Sequence, residues 1–135
     1  MNLEGIDHIA ITVTDLDRSI KWYKEVLNLE PMFDNVWEGT PFMIGKGNTC
    51  LALFKINSDN PKPNPGWDTI AAMHIAFRAN RENFETAQKE LKERGIKFRF
   101  ADHGISHSIY FKDPDGQRTS RISEDFPAGV LAEIG

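Results

Sequence analysis

The chain predicts an α+β protein assembled from two consecutive βαβββ modules. Around residue 8 an apolar–polar alternation gives way to an amphipathic stripe, the change from period 2 to period 3.6 that marks a strand followed by a helix. The same change recurs around residue 74. His8-Ile9-Ala10-Ile11 matches His74-Ile75-Ala76-Phe77, and Ile20, Tyr23 and Leu27 match Phe84, Ala87 and Leu91 with identical spacings. Between the copies, residues 57–66 are polar and carry three prolines, the composition of a connector.

The first module opens with Ile6-Asp7-His8-Ile9-Ala10-Ile11-Thr12-Val13, whose β-branched content between Gly5 and Asp15 reads as a strand. Alternation puts Asp7, Ile9, Ile11 and Val13 on the greasier face, which meets the core. His8 falls on the opposite, mixed face, where a histidine can look into a cleft. A helix over 16–27 follows, capped by Asp15 or Asp17, because a carboxylate there accepts from the unpaired N–H groups of the first turn. Its stripe of Ile20, Tyr23 and Leu27, with Val26 alongside, packs on a sheet. Strands over 30–37, 41–45 and 49–56 come next, and Gly45-Lys46-Gly47-Asn48 joins the last two as a hairpin. In the second module, residues 72–77 form a strand, Asn80 caps a helix over 81–94 and Gly95 ends it. Strands over 97–102, 106–112 and 117–123 complete it, with Asp113-Pro114-Asp115-Gly116 turning between the last two. The expected organisation is one domain, residues 1–135, built of two repeats. The modules span 5–56 and 71–123, the linker 57–70 and a tail 124–135.

Composition narrows the function. The chain has 135 residues, 16 basic and 20 acidic side chains and a net charge of −4, so nothing electrostatic recruits nucleic acid or an anionic membrane. No run approaches the roughly 20 apolar residues of a membrane helix, and the opening Met1-Asn2-Leu3-Glu4-Gly5 is no signal peptide. The single cysteine, Cys50, cannot form an internal disulfide, which fits a reducing compartment. A soluble cytoplasmic protein is expected.

If the halves are related by pseudo-twofold symmetry, His8 and His74 hold equivalent positions and face each other across the axis. Two imidazoles brought together are half of a metal site, suited to iron, manganese, nickel or zinc, with a carboxylate as the usual third ligand. The other reading is that each histidine is a hydrogen-bonded strand residue.

Asp7-His8-Ile9-Ala10-Ile11-Thr12-Val13-Thr14-Asp15-Leu16-Asp17-Arg18-Ser19-Ile20, followed by Trp22-Tyr23, resembles the opening signature of the vicinal oxygen chelate superfamily. That superfamily includes glyoxalase I, fosfomycin-resistance enzymes, bleomycin-resistance proteins and extradiol dioxygenases. Ser108-Ile109-Tyr110-Phe111-Lys112-Asp113-Pro114-Asp115-Gly116 resembles its late signature. The likeness runs from residue 5 to about residue 123. It implies a glyoxalase/dioxygenase-like fold, two βαβββ modules in a cupped mixed sheet around a divalent metal, and a homodimer. His8 falls on the first ligand position and His74 on the ligand that begins the second module.

The chain departs from the family pattern at two places. The glutamate often found four residues after the glycine of the late turn is replaced by Ser120, and the first-module glutamate of glyoxalase I by Ala52. Glu124 shares the parity of Ser120 but lies about 13 Å further along a strand, and takes its place only through a bulge or a register shift. Loss of an anionic ligand weakens metal binding. The missing base argues against a glyoxalase I reaction and favours a fosfomycin-type transferase or a dioxygenase.

The resemblance also puts Tyr110 where extradiol dioxygenases keep a tyrosine that hydrogen-bonds the metal-bound substrate oxygen. It shares parity with Ser108 and Lys112, away from the greasy face of Ile109 and Phe111. His103 and His107 are acid–base candidates if their loop folds over the cup, and surface histidines otherwise. Phe33, Trp37, Phe42, Phe54 and Trp67 can line a pocket, a core or a dimer interface. Cys50 reads as a buried, unactivated thiol.

Two functions remain. One is a small metalloenzyme in which His8 and His74 hold Fe(II) or Mn(II), with Zn or Ni as alternatives. A substrate with neighbouring oxygens chelates the ion, and Tyr110 is the outer-sphere donor. The other is a metal-free cup that sequesters a small molecule, as bleomycin-resistance proteins do, where Trp37, Phe42 and Phe54 matter more than the histidines. Both take a small-molecule ligand, and the site lies within one chain or between two copies.

Overall fold

The computed structural model describes residues 1–33, 40–116 and 120–124. The chain divides into two compact units, Met1–Lys62 and Pro63–Gly135, with the division inside the expected connector.

In the first unit the chain runs β1 (Ile9–Val13), α1 (Leu16–Leu27), β2 (Glu30–Met32), β3 (Phe42–Lys46) and β4 (Thr49–Lys55). The sheet order is β1-β4-β3-β2. β1 pairs parallel to β4, from Ile9↔Leu51 to Val13↔Lys55, and the other pairs are antiparallel. Such a parallel pair needs a crossover, which α1 begins by packing on β3 and β4. Asp15 caps α1, its carboxylate accepting from the Arg18 N–H at 3.0 Å, and Asp17 lies in the first turn. At the other end Asn28 takes the left-handed conformation, φ 55°, which asparagine tolerates better than most residues. The core gathers Ile11, Val13, Tyr23, Ile44, Leu51 and Leu53.

The buried line of α1 differs from the expected stripe. Ser19 and Tyr23 are its buried residues, while Ile20, Val26 and Leu27 are half-buried. Ser19, one turn before Tyr23, takes the buried line of the helix, and Ile20 is half-buried beside it.

The second unit repeats the order with β5 (Ala76–Ala79), α2 (Arg81–Glu93), β6 (Arg99–Asp102), β7 (His107–Phe111) and β8 (Ser120–Glu124). The sheet order is β5-β8-β7-β6, and β5 pairs parallel to β8. Asn80 caps α2 by accepting from the Asn83 N–H at 2.8 Å. At its C-terminus Gly95 (φ 71°) donates to the Lys92 carbonyl and Ile96 to the Leu91 carbonyl, the paired bonds of a Schellman motif. α2 buries Phe84 and Leu91 and packs on β5 and β8. The turn after β7 forms as expected, with the Gly116 N–H donating to the Asp113 carbonyl at 3.0 Å and the Asp115 N–H to the Asp113 carboxylate at 2.9 Å.

Two strand starts need correction. β1 begins at Ile9 rather than residue 6, and β5 at Ala76 rather than residue 72, so His8 and His74 precede their strands instead of lying on them. The described ladders begin at Ile9↔Leu51 and Ala76↔Arg121, so the alternation upstream of Ile9 and of Ala76 lies outside the pairing. The expected β2 is described only as Glu30–Met32, and residues 34–39, with Trp37, lie outside the described residues. So do residues 117–119 of the last expected strand and the tail from 125 on. Among the described residues no helix is long and apolar enough to cross a membrane.

The β3–β4 hairpin turns on Gly47 (φ 58°) and Asn48, a positive-φ geometry that glycine permits. One step back, a Cβ on Gly45 would collide with the Thr49 carbonyl oxygen and stand 2.8 Å from the Met32 sulfur. Gly45→Ala is therefore expected to destabilise the protein by about 1–3 kcal/mol, the range for overpacking, read from the midpoint of urea unfolding. Asn80→Ala, which removes the cap of α2, is expected to cost about 1 kcal/mol in the same measurement.

Candidate active site

The second unit brings several chemistry-bearing side chains together on one face of its sheet. β6 and β7 pair Arg99 with Tyr110 and Ala101 with Ser108. The hairpin between them closes with the His103 N–H donating to the Ser106 carbonyl at 2.9 Å, over Gly104 at φ 81°. Asp102 steadies the turn by accepting from the Gly104 N–H at 2.8 Å. Alternation along β6 therefore carries His103 onto the Tyr110 side, where its Nε2 lies 3.0 Å from the phenolic oxygen. The Arg99 guanidinium carbon stands 4.6 Å from the centre of the Tyr110 ring, a cation–π contact.

His74 completes this group. Its ring packs edge-on to Tyr110 at 6.1 Å and to Trp67 at 6.2 Å between centroids. Trp67, His74, Arg99, Tyr110, Phe111 and Lys112 line a cavity of about 380 Å³. A guanidinium, a lysine amine, a phenol and an imidazole make its lining basic and rich in donors, suited to an anionic, oxygen-bearing molecule.

In the first unit, His8 is 45% exposed and its Nδ1 lies 2.8 Å from an oxygen of the Asp7 carboxylate. Asp7 also lines a broad depression of about 780 Å³ with Leu3, Ile6, Met32, Met43 and Cys50. Burial pushes the Cys50 thiol up from its ordinary pKa, and the nearby Asp7 carboxylate adds to the shift.

The other candidates separate clearly. His107 belongs to the opposite face of β7, against Phe100 at 5.3 Å between ring centres, with its Nε2 3.6 Å from the Asp102 carboxylate. Phe33 borders the first-unit depression in part, Phe42 is half-buried and Phe54 exposed. Ala52 is buried in β4, paired with Ala10 and Met43. The β7–β8 register sets Ser120 opposite Phe111 and Arg121 opposite Tyr110, so the position read as the usual carboxylate site is not the one beside the tyrosine. Among the described residues, no group of three or more His, Cys, Asp and Glu side chains stands ready to hold a metal ion.

Sequence reasoning passed over Arg99, Lys112 and Asp7. Arg99 interrupts an apolar run between Phe98 and Phe100, and Lys112 shares the parity of Tyr110. Both were signals of a charged face.

Two βαβββ units of identical strand order, each with a histidine just ahead of its first strand, define a scaffold of two matching modules. Residues 5–120 match the Glyoxalase/Bleomycin resistance protein/Dioxygenase superfamily, and the chain belongs to it. Over 123 residues it is 32% identical to the metallothiol transferase FosB of Staphylococcus epidermidis, covering 87% of this chain and 80% of that protein. It is 26% identical over 117 residues to the glutathione transferase FosA of Serratia marcescens, covering 86% and 78% of the two chains. The crystal structure of a glyoxalase/dioxygenase from Nostoc punctiforme superposes with a TM-score of 0.78 at 28% identity, covering 93% of this chain and 94% of that one.

The raised Cys50 pKa leaves less thiolate, the form that reacts with alkylating agents. Near neutral pH, iodoacetamide is expected to label Cys50 more slowly in the folded protein than in guanidinium. Asp7→Asn should recover part of the difference, as followed by mass spectrometry.

Proposed function

We propose that this chain is a metal-dependent enzyme that acts on a small molecule with neighbouring oxygen atoms, with transfer of a thiol as its reaction. The observation that carries the reading is the shared cavity of His74, Tyr110, Arg99 and Lys112 in a chain related to two thiol transferases. His8 and His74 are the proposed ligands of a divalent ion. Their pairing rests on the sequence repeat and on the family signature. The donor chemistry fits: neutral imidazoles suit Mn(II) or Fe(II), and also Zn or Ni, with water and substrate oxygens filling the other positions. The contact of His8 Nδ1 with a carboxylate leaves Nε2 as its ligating nitrogen. When bound, such an ion supplies Lewis acidity toward the substrate oxygens.

The chain's own residues perform the remaining steps. Arg99 and Lys112 attract and orient an anionic substrate, and Trp67 covers one side of His74 and reduces access of water. As sulfur bonds to carbon and a carbon–oxygen bond breaks, the departing oxygen gathers negative charge. The thiol reacts as its thiolate, its proton released to water. The Tyr110 hydroxyl gives its proton to the departing oxygen, and the phenolate is reprotonated from water through His103, whose Nε2 lies 3.0 Å away. A cytoplasmic homodimer of two-repeat chains completes the reading, supported by the single cysteine and the family signature.

A second reading, metal-free binding of a small molecule, is favoured by one observation: alanine and serine stand at positions 52 and 120. Metal analysis of untagged protein separates the two. The enzyme reading expects a stoichiometric divalent ion in the wild type, lost in His8→Ala and in His74→Ala. Tyr110→Phe is expected to keep the ion and to lower the rate of thiol consumption, assayed against a panel of small oxygenated electrophiles, by about 10²-fold. Metal-free wild-type protein whose ligand binding is unchanged in both histidine variants overturns the enzyme reading in favour of sequestration.

A further inference from the structure

We propose that Asp7 is the positioning residue of His8, holding the imidazole so that Nε2 is presented to the divalent ion; the inference rests on the metal reading above. His8 Nδ1 and the Asp7 carboxylate oxygen are 2.8 Å apart. An ionised carboxylate only accepts, so Nδ1 carries the proton and the ring is held in the tautomer whose lone pair sits on Nε2. The backbone of His8 lies just outside the β1–β4 ladder, which begins at Ile9↔Leu51, and the side chain is 45% exposed. Neither sheet pairing nor deep burial orients the ring there, and the carboxylate supplies the restraint.

The second module does this differently. Met73 stands where the first module has Asp7, and His74 is flanked instead by the rings of Trp67 and Tyr110. The repeat therefore keeps the histidine and changes its surroundings, with a carboxylate beside it in one copy and aromatic rings beside it in the other. Asp7 is 97% exposed, so its pair with His8 contributes little to folding. Its role is legible in the ring rather than in the unfolding curve. Carboxylate partners of ligating histidines fix the tautomer, which is the effect assigned to Asp7.

The test uses the whole metal-free protein labelled with ¹⁵N, at about pH 8.5, above the ordinary range of histidine. Long-range ¹H–¹⁵N correlations report which ring nitrogen of His8 carries the proton, with the resonance assigned by its loss in His8→Gln. The expected wild-type state is protonated at Nδ1. Asp7→Ala should shift it to the Nε2-protonated form, and Asp7→Asn, whose amide oxygen still accepts, should retain the wild-type form, all three with the same unfolding midpoint. Titration with Mn(II), read from the EPR signal of the free ion, should show affinity about 10–100-fold weaker in Asp7→Ala. An unshifted tautomer, or Mn(II) affinity unchanged within about twofold, overturns the inference. A shifted tautomer in a protein whose wild type binds no Mn(II) overturns the metal reading on which it stands.

Discussion

The parallel ladder that joins the first strand of each unit to its last, β1 to β4 and β5 to β8, is the constraint on which the other features depend. Parallel neighbours cannot be joined by a tight turn, so the chain must leave the sheet, run a helix along it and return. That requirement brings α1 and α2 onto the sheets and gives both units the order first-fourth-third-second. It also sets where a histidine can stand. His8 stands one residue and His74 two residues before its ladder begins, at the open ends of edge strands, where the side chain is held by whatever lies nearby rather than by pairing.

The nearby groups differ between the copies. In the first, the partner is a charged neighbour in sequence, and the adjoining depression is lined by Met32, Met43 and Cys50. In the second, His74 packs against the rings of Trp67 and Tyr110, and Tyr110 in turn meets Arg99 and His103. Duplication has preserved backbone topology, which is governed by apolar periodicity. The polar groups around each histidine differ between the two copies.

Much of the fold was legible because it is local. Asp15 and Asn80 announced the helix starts, Gly95 a helix end, and Asp113-Pro114-Asp115-Gly116 a turn, and each does so through hydrogen bonds within a few residues. Ser19 was not legible as a core residue, since nothing local says which line of the helix is buried. Arg99 was not legible as a neighbour of Tyr110, since strand pairing across a hairpin depends on where the turn closes. His103 shows both sides of this. Its identity and parity are written in the sequence, but its contact with Tyr110 exists only because the hairpin is short enough to return it to that face.

By itself, then, the sequence determined the order of elements, the duplication and the two histidines equivalent within it, because periodicity, capping and matched spacing act over a few turns of chain. Tertiary structure alone decided the register, and with it that Tyr110 lies between Arg99 and Arg121 while Ser120 falls opposite Phe111. The reason is geometric: side chains alternate across a strand, so a shift of a single residue exchanges one face for the other, and only the closed ladder selects between them.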